Sequence, residues 1–167
     1  MGNSNMSAID NIAEDVIAVA AKLREVDLKQ HILAMVDEQG HCQLGELHFP
    51  QDSTAADRAA VVRNVGANHP QTIAVIIVIE SWMLMIKQED YDADTYQLPS
   101  QSPDRVEAFV IDGTTTEGER VQIIDIFDRD PDTNAKVFRD PKPLLRRNVE
   151  VAAPGLTEAF WQGVKGQ

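Results

Sequence analysis

Residues 73–86, IAVIIVIESWMLMI, decide the fold. A continuous β-branched run of this length reads as a strand covered on both faces, and so as the centre of a sheet. One carboxylate, Glu80, interrupts it. An ionised Glu inside such a strand is costly unless it meets a cation, several hydrogen-bond donors or water. Glu80 is therefore the first candidate for chemistry, with its neighbours Ser81 and Trp82 as candidate ligand-binding residues.

Upstream of this run, Ile9, Ile12, Val16, Val19, Leu23 and Val26 recur at spacings of three and four, and form one apolar stripe beginning near Ser7. The stripe breaks at Asp27 and resumes as Leu28, Ile32, Met35 and Val36, ending at Gly40, a good C-cap residue. This predicts one kinked helix or two consecutive ones. Residues 41–49, HCQLGELHF, alternate weakly and predict a short edge strand. Ser53 and Thr54 offer N-caps, with Asp57 in the first turn, for a helix to about Asn68. Its apolar members, Ala56, Ala59, Ala60, Val62 and Val65, are small, which suits close packing.

Downstream, residues 87–104 are polar, acidic and proline-bearing, a length at which a structureless loop usually serves function or partner binding. Residues 105–112 predict a strand, GTTTEG at 113–118 a hairpin turn, and 119–128 the returning strand. A second acidic loop, DRDPDTNA, leads to KVF, a proline-rich RDPKPLLRR, and a last strand near 148–152. Pro154-Gly155 opens a short helix whose Leu156, Phe160, Trp161 and Val164 need cover. The expected architecture is α+β, a mostly antiparallel sheet with N-terminal helices and a short C-terminal helix packed on one face. Residues 1–6 are expected to be disordered and residues 7–167 to form a single domain.

At 167 residues, with 43% hydrophobic and 25% charged residues, the chain can bury a core without staples. The formal net charge of -12 argues against nucleic acid and against anionic membranes, and suits good solubility, a basic protein partner or bound divalent cations. The single cysteine, Cys42, excludes an internal disulfide framework. The first ten residues lack the basic and apolar regions of a secretory signal, and the apolar run at 73–86 is too short to span a bilayer as a helix. The expectation is a cytoplasmic protein of bacterial type.

Candidate constellations are few. On a strand Glu80 and Trp82 share a face, and Arg105 and Glu107 open the strand expected to pair with theirs. A Glu80–Arg105 ion pair is the expected contact, with Asp104 and Glu107 nearby as further candidate acids. Asp90, Asp92 and Asp94 form one D-x-D-x-D and Asp128, Asp130 and Asp132 another, but neither continues with the Gly and Glu that an EF-hand loop requires. Cys42, Glu46 and His48 would share one strand face, yet an edge strand explains them equally well. No nucleophile elbow, phosphate loop or dinucleotide fingerprint is present, so neither metal nor cofactor is expected. The basic residues Arg139, Lys142, Arg146 and Arg147 offer a place for an anion or an acidic partner, a second copy of the chain included, while Arg146 and Arg147 suit solvent exposure or pairing with the acidic loops.

The segments IESWMLM at 79–85 and SPDRVEAFVIDG at 102–113 resemble a motif pair of uncharacterised bacterial proteins. There an apolar strand carrying a Ser/Glu-Trp-Met element precedes a Pro-Asp-Arg-x-Glu-Ala strand. The resemblance spans residues 73–113 and implies no activity. It does group Glu80, Trp82, Asp104, Arg105 and Glu107 in one pair of elements. The leading expectation is a non-catalytic interaction or assembly protein that forms a homo-oligomer. The alternatives are a metal-dependent hydrolase or other enzyme using Glu80, and an acidic mimic of nucleic acid.

Overall fold

The computed structural model describes residues 8–26, 28, 31–83, 103, 105–148 and 155–166. In chain order these form α1 (Ala8–Leu23), β1 (His31–Asp37), β2 (Cys42–Leu47), α2 (Ala55–Ala67), β3 (Thr72–Met83), β4 (Val106–Thr115), β5 (Arg120–Arg129), β6 (Lys136–Phe138), β7 (Leu145–Arg147) and α3 (Leu156–Val164). The strands make one seven-stranded sheet in the order β2-β1-β3-β4-β5-β6, with β7 also on β5. Every pairing is antiparallel.

As far as Met83 the apolar run is the strand expected of it, and residues 84–86 lie outside the described residues. β3 lies inside the sheet, between β1 and β4, and its alternate residues enter two separate cores. Ala74, Ile76 and Val78 pack with Ile9, Ile12, Val16 and Leu23 of α1, and Val75 and Ile77 pack with Val62, Phe160 and Trp161 from α2 and α3. The helices therefore cover both faces of the sheet, where the sequence predicted one. The reason lies in β3 itself, since a strand apolar on both sides needs a helix layer on each. Among the described residues no helix is long and apolar enough to cross a membrane.

A second departure is β1. Leu28, Ile32, Met35 and Val36 carry a helical spacing, but residues 31–37 form a strand hydrogen-bonded to β2 and β3. A short apolar run satisfies either period, and two available strand partners decide the matter here. Gly40 accordingly takes its positive φ of 79° in the β1–β2 turn, not at a helix end. There Asp37 Oδ1 accepts the backbone N–H groups of Gln39 and His41, both at 2.9 Å.

The remaining elements follow local signals. Thr54 caps α2, its hydroxyl accepting from Asp57 N while the Asp57 carboxylate accepts from Thr54 N, a reciprocal capping box. The turn between β4 and β5 closes with Gly118 at φ 82°. Among the described residues the last strand is Leu145–Arg147, and the strand predicted near 148–152 lies, Asn148 apart, outside them. The small residues of α2 permit a close crossing with α3. A Cβ added at Gly66 would strike the Phe160 carbonyl, and one at Gly163 would strike the Arg63 carbonyl.

Candidate functional site

Glu80 lies near the far end of β3, opposite Phe109 of β4, on the face that carries α1. That helix ends before reaching it. Just beyond α1, Arg24 turns down onto the sheet, donating from Nε and Nη2 to the buried Asp125 carboxylate at 2.7 Å each and standing over the Phe138 ring at 4.5 Å. Further along β5 the same face continues as Phe127 and Arg129. There the strand ends hold a cluster of charges that, among the described residues, no helix covers.

Arg129 bridges the two carboxylates. Its Nε donates to Glu107 Oε2 at 3.0 Å and its Nη2 to Glu80 Oε1 at 3.3 Å. Lys136 Nζ lies 3.6 Å from Glu80 Oε2 and also stands over the Phe109 and Phe127 rings at 4.6 and 5.4 Å. The Phe109, Phe127 and Phe138 rings pack together with centroids 5.3 to 6.3 Å apart. They form an apolar floor on which the cations lie by cation–π attraction. The cost of placing Glu80 in an apolar strand is thus met by two cations and partial access to water, its side chain being 23% exposed.

The sequence-predicted group is partly assembled here. Glu80 and Glu107 meet through a shared guanidinium. The predicted cation is corrected: Arg105 lies over the Trp82 ring at 4.3 Å, and Arg129 and Lys136 are the cations on Glu80. β5 and β6, not the start of β4, reach across to Glu80, because Arg105 precedes the strand while Arg129 ends its neighbour. Trp82 is half-exposed and Ser81 lies opposite Ala108, but the Ser81 side chain and Asp104 lie outside the described residues.

A more deeply buried charge cluster, absent from the sequence reading, lies on the opposite face beneath α3. Arg120 Nη2 donates to Asp112 Oδ2, Thr157 Oγ1 and Glu158 Oε1 at 3.1, 2.7 and 2.5 Å. Its Nε is 2.9 Å from Asp112 Oδ1, although neither atom makes a well-directed hydrogen bond. Burial pushes the Asp112 carboxyl above its ordinary range, and Arg120 only partly offsets this. Burial would raise Glu158 as well, but its own N–H, the Gly155 N–H and Arg120 bring it below the usual value. Trp161 Nε1 donates to Thr114 Oγ1 at 2.8 Å and fixes the same helix to β4. The hairpin register offered one signal: Asp112 pairs with Gln122, which makes Arg120 its diagonal neighbour.

The remaining candidates are accounted for structurally. Asp130 accepts the backbone N–H groups of Asp132 and Thr133, which holds its carboxyl below the ordinary range, and Asp128 receives both Nε and Nη2 of Arg139. The other acidic triplet, Asp90 to Asp94, lies outside the described residues. Among the described residues no three His, Cys, Asp or Glu side chains converge as metal ligands. Arg147 donates to Asp10 of α1, and Lys142 and Arg146 are exposed. Burial and Asp15 raise the Cys42 thiol, so it stays protonated and a poor nucleophile. A cavity of about 90 Å³ lined by Asp37, His41, Cys42 and His69 is far smaller than an ordinary ligand site.

Comparison with known protein families, curated proteins and solved structures finds no match for this chain.

Proposed function

We propose that this chain is a non-catalytic interaction or assembly protein that acts as a homo-oligomer. The observation that carries the reading is an open sheet edge. β2 is six residues long, pairs only with β1 among the described residues, and carries neither proline nor lysine. Such an edge invites a further strand unless it is blunted. The opposite edge is blunted, consisting of two three-residue strands, β6 and β7, with a proline-bearing segment between them.

The charge clusters support the same reading. A hydrolytic carboxylate must be able to take or give a proton, or hold a metal with open positions. Glu80 instead faces Arg129 and Lys136, and Glu107 shares the guanidinium. Their geometry suits fastening the free ends of β3, β4, β5 and β6 better than it suits turnover. On this reading the resemblance of residues 73–113 reflects a shared strand pair whose charged residues hold a sheet end together.

Size-exclusion chromatography with light scattering tests the proposal. The expected result is a dimer or larger species at micromolar concentration. A strictly monomeric species up to high concentration would remove it.

A further inference from the structure

Resting on that reading, the structure also points to the identity and register of the strand that adds to β2. Among the described residues nothing pairs with the outer side of β2, a row of backbone donors and acceptors, and only another extended strand answers such a row throughout. Cys42, Leu44 and Glu46 stand opposite Val36, Ala34 and Ile32 of β1. Those three residues pack at the margin of the α1 core and are only partly buried. Among the described residues α1 rests mainly on β3, β4 and β5 and approaches this face of β1 and β2 only at its margin, where Asp15 acts on Cys42. The apolar strip runs from Ile32, Ala34 and Val36 outward to Leu44, which is 71% exposed.

Charge selects the occupant. The whole chain has a formal net charge of -12, yet the only charged residue on β2 is Glu46, with His48 Nε2 3.6 Å from its carboxylate. A basic partner would gain little along this strand. A second acidic copy meets one carboxylate per strand along β2 and little repulsion from the strand itself.

We infer that two copies pair β2 to β2 antiparallel, about a twofold axis normal to the sheet that passes beside Leu44. Such an axis keeps the same face upward in both copies, so residues placed opposite must share a face. With Leu44 opposite its twin, the largest exposed apolar side chain of the strand is buried. Glu46 then faces the partner's Cys42 and Gln43 faces the partner's Gly45, so no two carboxylates of the paired strands stand opposite each other. Moving the axis to Gly45 would place Leu44 against the partner's Glu46, a poorer match.

Two variants of the full chain test the register. Leu44→Lys sets two ammonium groups face to face and is expected to weaken the dimer about a hundredfold or more, read by light scattering over a dilution series. Leu44 is largely exposed, so circular dichroism should be unchanged. Cys42→Ser/Leu44→Cys brings two thiols together across the axis and should give a disulfide-linked dimer under mild oxidation, whereas Cys42→Ser alone gives none. A monomeric wild type sinks both the assembly reading and this interface. An oligomeric wild type whose double variant fails to cross-link, or whose dimer survives Leu44→Lys, leaves the assembly reading standing and overturns the β2 interface.

Discussion

The two charge clusters differ in the way that matters for an ion held within a fold. Beneath α3, a single guanidinium, 9% exposed, answers two carboxylates and a hydroxyl. At the end of the sheet, two cations answer two carboxylates over an aromatic floor, and the bridging Arg129 is 32% exposed. The first cluster joins a distant helix to the sheet; the second joins neighbouring strand ends. The contrast teaches that a carboxylate's place in an apolar run does not measure its isolation from water. Asp112 is bordered by the polar turn GTTTEG in sequence, yet burial pushes its carboxyl above the ordinary range.

The sharpest way to break this comparison is to remove each guanidinium. Arg120→Met leaves Asp112 and Glu158 facing each other under α3 without their cation. It is expected to cost about 3–5 kcal/mol of unfolding free energy, as breaking a buried ion pair does. Urea denaturation measures it, and a loss below that of the Arg129 variant would reverse the ranking. Arg129→Met should cost less, about 1–2 kcal/mol, between the ranges for exposed and buried pairs. Solvent reaches its site and Lys136 still faces Glu80.

The smallest effect is a pH dependence. Asp112 has a folded-state value above its ordinary 3.8, so the folded state binds the proton more tightly than the unfolded one. Its contribution therefore makes stability fall as pH rises from that value through the raised one. Glu158 acts in the opposite sense: its contribution is present above its ordinary 4.5 and is lost as pH falls through its lowered value. Asp112→Asn should accordingly gain on the wild type between acid and neutral pH, seen as a converging or crossing of urea midpoints. A difference that stays constant with pH would show that Asp112 does not titrate in this window.

Particular residues show how far sequence reading carries. β3, the capped helix from Thr54, the hairpin at Gly118 and the terminal helix were legible because each rests on signals within a few residues: a β-branched run, a capping box, a turn glycine, an apolar stripe. β1 is not legible because Leu28, Ile32, Met35 and Val36 fit a helical period as well as a strand. Glu80 was found as a charge needing an answer, but its cations lie 49 and 56 positions downstream, at Arg129 and Lys136. No spacing rule links them.

By itself the sequence determined the polarity of each segment, hence an α+β chain built on a strand apolar on both sides. It also determined that Glu80 would need a counter-charge. The tertiary structure alone decided which face each helix covers, which cation meets which acid, and which strand is left at the edge. Those outcomes depend on register and layer order, which are set by the simultaneous burial of residues far apart in the chain. Arg24 and Asp125, 101 positions apart, meet only once α1 has settled across β3, β4 and β5.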